Sequence, residues 1–155
     1  AALGARGFIL RAGPVYGRSP ADPHFDPFWA RAEEAGLVAA VHIGVSGYVN
    51  FFGREWGEDP DVTEQTMSAF QFLTCFGARP AQDTLAALVL HGLFDRFPRL
   101  RVASIENGSD WVPALLKNLE KVGRVAITSQ GGTKAAKAKR PPWRSPPRSA
   151  RCSCR

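Results

Sequence analysis

The chain is poor in cysteine. It has 3 cysteines among 155 residues, and two of them, Cys152 and Cys154, stand in a basic tail. Cys75 lies in an apolar stretch, where a small buried residue is the ordinary interpretation and a nucleophile the rarer one. Because this usage is too sparse for a disulfide framework, we expect a protein of a reducing compartment.

Long hydrophobic segments are also missing. No stretch approaches the about 18 consecutive apolar residues at which a run becomes a candidate membrane helix. The first residues have no apolar core with a basic flank, which a signal peptide would show. We therefore expect a cytoplasmic protein without a membrane partner.

Acidic residues are absent from the end of the chain. The formal net charge is +6, but eight of the 20 basic residues and none of the 14 acidic ones follow residue 130. Residues 1–130 therefore carry twelve basic and fourteen acidic groups, a net charge of −2. Residues 131–155 also lack Leu, Ile, Val and Phe, so they cannot bury enough apolar surface to fold. We expect a folded domain over 1–130 and a disordered basic tail over 131–155.

Three interpretations of this tail stay open. A basic arm can bind nucleic acid through phosphate contacts, whereas a solvated tail needs no partner. The abrupt change to Arg, Pro, Ser, Ala and Cys is also what translation in a shifted reading frame would produce. Because solvated basic ends are common, nucleic acid is not the partner we favour.

Two apolar runs each end in a polar residue that could bind a ligand. Residues 38–44 read VAAVHIG, with His42 near the end, and residues 101–108 read RVASIENG, with Glu106 in the same place. Short apolar runs between helical patterns are typical of parallel strands, whose C-terminal ends carry the chemistry of α/β folds. We expect both residues on one functional face. A histidine bonded within the core and a loop-capping carboxylate are the structural alternatives.

The remaining pattern alternates strands with helices, which predicts an α/β fold. The predicted elements are a strand at 7–10, a helix at 26–35 with Asp26 as its N-cap, a strand at 38–43, helices at 61–76 and 80–97, a strand at 101–106, and a helix at 111–121 capped by Ser109 or Asp110.

Two further side chains are placed near strand ends. Trp56 belongs to an aromatic loop after the second strand, and such loops contact substrate in barrel enzymes or simply pack. Arg11 follows the first strand, where it is equally suited to hold a substrate carboxylate or to form a structural ion pair.

Several motifs, taken in order, resemble one enzyme family. They are GARGFILR at 4–11, FDPFWARAEEAGL at 25–37, the VHIG strand end at 41–44, GLFDRFPRLRV at 92–102 and ENGSDWVP at 106–113. Over residues 3–122 the chain resembles the amidohydrolase-related metal-dependent hydrolases, on the aminocarboxymuconate-semialdehyde decarboxylase branch.

The resemblance implies a partial (β/α)8 TIM barrel, in which this chain supplies the fourth, fifth and sixth βα units. His42 sits where the family has its fifth-strand metal-ligand histidine. Glu106 sits where the decarboxylases have a catalytic histidine, so this residue departs from the pattern. The family's His-x-His motif and its last-strand aspartate have no counterpart in the sequence. The implied cofactor is a divalent metal, zinc above all, which this chain alone would hold weakly or not at all.

The resemblance also implies a function. We expect a fragment of an enzyme that hydrolyses or non-oxidatively decarboxylates a small carboxylate-bearing substrate, inactive alone. Glu106 would be catalytic, His42 a metal ligand, and Arg11 and Trp56 substrate-binding residues. The alternative is a non-catalytic truncated α/β fragment that persists by pairing its exposed strand edges with a copy of itself or a complementing chain, with the tail as a weak nucleic-acid arm.

Overall fold

The computed structural model describes residues 4–129, and the side chains of residues 4–123. The strands are β1 (Gly7–Leu10), β2 (Val38–His42) and β3 (Arg101–Ile105), and the α-helices are α1 (Asp26–Glu34), α2 (Ala69–Gln71), α3 (Ala78–Leu90), α4 (Leu93–Arg96) and α5 (Val112–Ser129). A 3-10 helix spans Pro23–Phe25, and π-helical segments span Val49–Gly53 and Phe72–Phe76.

The chain divides into two units, residues 1–119 and 120–155, and the sheet, the core and the candidate site belong to the first. The predicted tail, residues 131–155, lies outside the described residues, so its disorder and the boundary after residue 130 stay predictions. Within residues 4–129, every helix is too short or too polar to span a lipid bilayer.

The three strands form one parallel sheet in the order β1-β2-β3. Parallel neighbours need a crossover connection, which α1 supplies between β1 and β2 and the helices from α2 to α4 supply between β2 and β3. The predicted α/β fold with a parallel sheet is confirmed. All three strands consequently end at the same edge of the sheet.

Helices cover one face of the sheet and build the core there. Ala39 on β2 is fully buried and packs in one cluster with Trp29 of α1, Leu88 of α3 and Leu93 of α4. The indole nitrogen of Trp29 donates a hydrogen bond of 2.8 Å to the carbonyl of Pro20, so this large side chain is buried without an unpaired polar atom. This packing explains why the helical patterns carry apolar stripes.

The other face of the sheet is open in the described residues. Ile9 on β1 is 73% exposed, and Ile105 on β3 is 38% exposed. Parallel sheets are ordinarily covered on both faces, and a closed barrel fills this inner face with side chains from all its strands. The open face and the two edge strands, β1 and β3, are therefore the surfaces that further strands would cover.

The predicted helix over residues 61–76 is wrong in its first half. Residues 61–68 are not helical and contain only a turn at 64–66, and α2 begins at Ala69, after the N-cap Ser68. The Ser68 hydroxyl accepts a hydrogen bond from the Gln71 amide, and the Gln71 side chain accepts one from the Ser68 amide. This reciprocal capping box fixes the start of α2. The Ser-x-x-Gln spacing in the sequence is the pattern that indicates such a box.

The predicted continuous helix over residues 80–97 is also wrong. It breaks into α3 and α4 at Gly92, whose φ of 70° is left-handed and incompatible with a helix interior. Glycine adopts this conformation without the steric penalty that other residues meet. His91, expected inside the helix, therefore caps the end of α3.

The start of α1 differs in its capping group. Asp26 is the first helical residue and not the N-cap, and its carboxylate accepts hydrogen bonds of 3.1 Å from Nε of Arg96. Asp22 instead caps the preceding 3-10 helix by accepting the amide hydrogen of His24. That hydrogen bond lowers the pKa of Asp22 because it favours the charged carboxylate.

Smaller corrections concern the aromatic loop, the last helix and two of the strands. The aromatic loop after β2 contains the π-helical segment Val49–Gly53, and the last helix, α5, runs to Ser129 and not to residue 121. The strands predicted at 38–43 and 101–106 each end one residue earlier, at His42 and Ile105.

Candidate functional site

The candidate site lies where β2 and β3 end side by side. The strands are parallel, and His42 is paired with Ile105, the last residue of β3. Because Glu106 follows directly, both polar residues stand at the C-terminal edge of the sheet. This is the edge where α/β folds place their chemistry.

Strand alternation alone would separate the two side chains. His42 and Ile105 are on the open face, whereas Ser104 is paired with the core residue Val41, and a regular strand would turn Glu106 to that same core side. Glu106 instead adopts the left-handed conformation, with a φ of 61°. Its Oε2 atom lies 3.8 Å from Nε2 of His42. The left-handed residue therefore brings both groups together.

The hydrogen bonding of His42 fixes which ring nitrogen is available. Its Nδ1 lies 2.7 Å from the backbone carbonyl of Ile43. A carbonyl oxygen can only accept, so Nδ1 carries a proton, and in the neutral ring Nε2 is the nitrogen with the lone pair. A ring nitrogen that donates to a backbone carbonyl, which leaves the other nitrogen to bind a metal, is typical of histidines that bind metals.

The pair supplies part of a metal site. The His42 side chain is 34% exposed and that of Glu106 68% exposed, so both are accessible from the open face. A nitrogen and a carboxylate oxygen are suitable donors for a divalent metal, but a catalytic zinc takes about three protein ligands. Among the described residues, no group of three His, Cys, Asp or Glu is placed to hold a metal. The two donors fit, and the set is incomplete.

Arg11 lies at the same edge of the sheet, just after β1. Its Nε donates a hydrogen bond of 3.1 Å to the carbonyl of Val45, three residues beyond His42. The contact ties the loop after β1 to the segment after β2. This contact is structural, because it holds two loops together. The predicted role of Arg11 in binding a substrate carboxylate stays a prediction.

Trp56 belongs to an aromatic cluster in the segment after β2. Its ring lies 5.3 Å from that of Phe70 and 6.2 Å from that of Phe52, and 66% of the residue is exposed. The guanidinium of Arg79 stacks over Phe52 at 4.6 Å. The described contacts of Trp56 are with this cluster and not with His42 or Glu106, so its predicted role in substrate binding stays a prediction.

Sequence reasoning missed Asn107 as a residue of this site. Its side chain is buried and donates through Nδ2 to the carbonyls of Val41 and Ile105, each at 2.9 Å. These carbonyls belong to the residues that precede His42 and Glu106. The signal available in the sequence was a polar amide directly after a strand-ending acid, a position where a short polar side chain can bond backbone groups.

A second polar region lies away from the pair. A cavity of about 230 Å³ is lined by the loop after β1, by Tyr48 and by residues of α3 that include Asp83. The Tyr48 hydroxyl donates a hydrogen bond of 2.8 Å to the Asp83 carboxylate, and burial with this contact raises the pKa of Tyr48 above its usual value. His91 also lines the cavity, and its Nδ1 lies 2.7 Å from the Ser19 hydroxyl.

Known proteins share both the sequence pattern and this fold. A family model described as Amidohydrolase matches residues 1–152. The chain belongs to the amidohydrolase family. Enzymes of this family generally use a divalent metal ion, which agrees with the donors found at the strand ends. None of the curated proteins matches this amidohydrolase-family chain.

Solved structures also resemble the chain, among them the following two. An amidohydrolase from Mycobacterium avium subsp. paratuberculosis K-10 is 33% identical with a TM-score of 0.68, over 84% of this chain and 32% of that one. The apo form of IDCase from Metarhizium anisopliae is 22% identical with a TM-score of 0.58, over 89% of this chain and 34% of that one, which shows a shared fold alone.

This amidohydrolase-family chain therefore spans about a third of the length of these two structures. Its parallel βα units form part of a TIM barrel of the metal-dependent hydrolase type, as predicted from the sequence. The comparisons do not distinguish the decarboxylase branch from the rest of the family.

Proposed function

We propose that this chain carries part of the catalytic face of a metal-dependent enzyme that hydrolyses or non-oxidatively decarboxylates a small carboxylate-bearing substrate. One observation carries the proposal: Nε2 of His42 and the carboxylate of Glu106 lie 3.8 Å apart at the ends of neighbouring parallel strands. Zinc is the proposed metal, because imidazole nitrogen and carboxylate oxygen are among its ordinary ligands.

Each side chain has a proposed task. Nε2 of His42 would bind the metal, which when bound would lower the pKa of a water enough to make it a nucleophile near neutral pH. The Glu106 carboxylate accepts or returns a proton at Oε2, as general acid or base. The guanidinium of Arg11 pairs with the substrate carboxylate, and the exposed ring of Trp56 covers the substrate.

The described residues supply His42 as a proposed ligand with the Glu106 carboxylate beside it, whereas a catalytic zinc takes about three protein ligands, and no group of three donors stands together in the described part of the chain. We therefore propose that the chain alone binds zinc weakly and is inactive, and that further barrel strands complete the site. The decarboxylase branch is proposed on the sequence motifs, and the cytoplasmic location on the scarcity of cysteine.

Zinc titration by calorimetry tests the assignment of His42. The full chain is used with Cys152 and Cys154 replaced by serine, because their thiolates would compete for zinc. We expect weak binding that falls at least about tenfold in His42→Gln, since the proposed metal ligand is lost. The matched control His91→Gln, which removes a histidine outside the pair, leaves it unchanged.

Two results contradict the proposal. Equal zinc affinity in His42→Gln and the parent chain would remove His42 from the site. Zinc retained in stoichiometric amount after dialysis, together with turnover of carboxylate substrates, would show that the chain alone holds a complete centre.

The alternative function is non-catalytic persistence by association through strand edges. The open face of the sheet, where Ile9 is 73% exposed, favours it as an additional property. In this alternative the basic tail is a weak nucleic-acid arm. Deleting residues 132–155 then abolishes salt-dependent binding to DNA, and unchanged binding after the deletion rejects the arm.

A further inference from the structure

We infer that Asn107 is the positioning residue that sets the separation and direction of the His42 and Glu106 side chains. The inference rests on the proposed function of that pair and adds to it the group that holds the pair in place. It starts from a single side-chain nitrogen, whose two N–H groups face three oxygen atoms.

The Asn107 amide bridges the two strands that carry the pair. Nδ2 donates to the carbonyl of Val41 on β2 and to the carbonyl of Ile105 on β3, both at 2.9 Å, and lies 3.2 Å from the Ser104 hydroxyl. Carbonyl oxygens only accept, so the assignment of Nδ2 to this side follows from its partners. One nitrogen thereby fixes the residues directly before His42 and Glu106 relative to each other.

The Asn107 side-chain amide, which we call the clamp, is buried, and the backbone of the same residue is also hydrogen-bonded. Asn107 is 6% exposed, and its backbone carbonyl accepts a hydrogen bond of 2.7 Å from the indole of Trp111, which is buried in the same segment. A buried amide with satisfied partners has one stable orientation, because any rotation would leave a polar group unpaired. The clamp is therefore held rigidly, although the Glu106 side chain next to it is exposed.

The clamp also accounts for the direction of Glu106. With Asn107 turned back into the sheet, the chain must leave the strand at residue 106, and Glu106 and Gly108 on either side both take positive φ angles, 61° and 67°. The left-handed conformation at Glu106 turns its carboxylate away from the core side and toward His42. Such conformations persist only where surrounding contacts over-determine them, and the Asn107 bonds are those contacts.

Two substitutions remove the clamp in different ways. Asn107→Ala deletes the donor, and Asn107→Asp replaces it with an acceptor of similar size that faces two carbonyls. In the full, isotope-labelled chain we expect the nuclear Overhauser cross-peaks between the His42 ring and the Glu106 γ protons to disappear in both variants. The affinity of the pair for Co²⁺, used as the probe metal with Cys152 and Cys154 replaced by serine, falls about 10-fold or more, the usual effect of losing a group that orients a ligand.

A matched control separates positioning from general destabilisation. Trp111→Phe removes the indole hydrogen bond to the Asn107 carbonyl but keeps the side-chain amide, so the cross-peaks remain although stability falls. Retained cross-peaks in Asn107→Ala would overturn the inference, as would their absence from the unsubstituted chain.

One outcome distinguishes this test from the test of function, and another covers loss of the fold. If the unsubstituted chain binds no Co²⁺ but loses its cross-peaks in Asn107→Ala, the proposed metal role fails and the positioning role stands. If both Asn107 variants unfold, hydrogen exchange of the side-chain amide in the unsubstituted chain decides. Slow exchange supports the clamp, and exchange as fast as in a free amide overturns it.

Discussion

The backbone conformation of Glu106 is the detail on which the site depends at the scale of single residues. A residue other than glycine at a φ of 61° carries a steric penalty. Here this costly left-handed conformation is what directs the Glu106 carboxylate toward His42. A functional group held in a strained conformation by its neighbours is a common arrangement in catalytic sites.

This strain predicts an unusual order of stabilities. Glu106→Gly relieves the left-handed conformation and should be about 1 kcal/mol more stable than Glu106→Ala, which keeps it. The control at Ser104, inside β3, should show the reverse order, with Ser104→Gly less stable than Ser104→Ala by about 0.5–1 kcal/mol. Urea denaturation of the four variants checks this. If Glu106→Ala were as stable as Glu106→Gly or more stable, Glu106 would be unstrained.

The ionisation of Tyr48 should make the free energy of unfolding depend on pH above pH 10. Its pKa is raised in the folded chain by burial and by the hydrogen bond to Asp83, whereas the unfolded chain ionises at the ordinary value of 10.0. Above that pH the unfolded state loses a proton that the folded state retains, so stability falls as pH rises.

Tyr48→Phe should therefore be less stable than the parent by about 1 kcal/mol at neutral pH, where the hydrogen bond is intact. Above pH 10 the difference should shrink, because the variant lacks the group that ionises. Urea denaturation at several pH values measures it. Tyr16→Phe, at a tyrosine that is 96% exposed, is the control and should match the parent throughout. A difference that does not vary with pH would contradict the account.

At the scale of elements, α3 joins the core to the loops around the site. Leu88 on this helix is fully buried beneath the sheet, while Leu90 near its end is 50% exposed. Thr84, on the same helix, accepts a hydrogen bond of 2.7 Å from the amide of Gly13 in the loop after β1. The helix therefore supports both packing and loop position.

This difference predicts unequal effects for the same substitution. Leu88→Ala should lower the free energy of unfolding by about 3 kcal/mol, because it removes buried methyl groups and leaves a cavity. Leu90→Ala should change it by about 0.5 kcal/mol or less. Thermal or urea denaturation of both variants measures this. Comparable losses would mean that α3 is not packed as described.

The elements also show what sequence can and cannot predict here. The strands could be predicted because each is a short apolar run bounded by turn residues, and their order followed from the helices between them. The break at Gly92 could not, because glycine is tolerated within helical patterns and only the packing of α4 against the core settles its conformation.

The same limit applies to the site. The placement of His42 and Glu106 at one sheet edge was predictable from where the two runs end. A shared functional face was also expected from the sequence, but how the two side chains meet could not be predicted, because alternation along the strands alone predicts opposite faces. The meeting depends on a backbone turn at Glu106 and on the Asn107 clamp, which are tertiary features that hydrophobic patterns do not encode.

At the scale of the whole molecule, the described part is a sheet with helices on one side. Its open face and edges are the surfaces that a complete barrel closes, and this chain spans about a third of the length of its solved relatives. An exposed apolar face beside unpaired strand edges favours association between chains.

We therefore predict concentration-dependent self-association of the isolated chain, reduced by Ile9→Lys on the open face. A lysine there adds charge to an edge strand, a common means of preventing edge pairing. Tyr16→Lys, which changes a large side chain outside the sheet that is even more exposed than Ile9, should leave the association unchanged. Sedimentation velocity at several concentrations measures it, and a monomeric parent chain would show that the open face does not drive association.

The central claim is that His42 and Glu106 form one part of a divalent-metal site, and its most direct test is to locate bound metal by nuclear magnetic resonance. Co²⁺ is added to the labelled full chain with Cys152 and Cys154 replaced by serine, and paramagnetic broadening is followed residue by residue. The account predicts weak binding with broadening centred on His42 and Glu106, abolished by His42→Gln. Broadening centred elsewhere, or none at all, would contradict it.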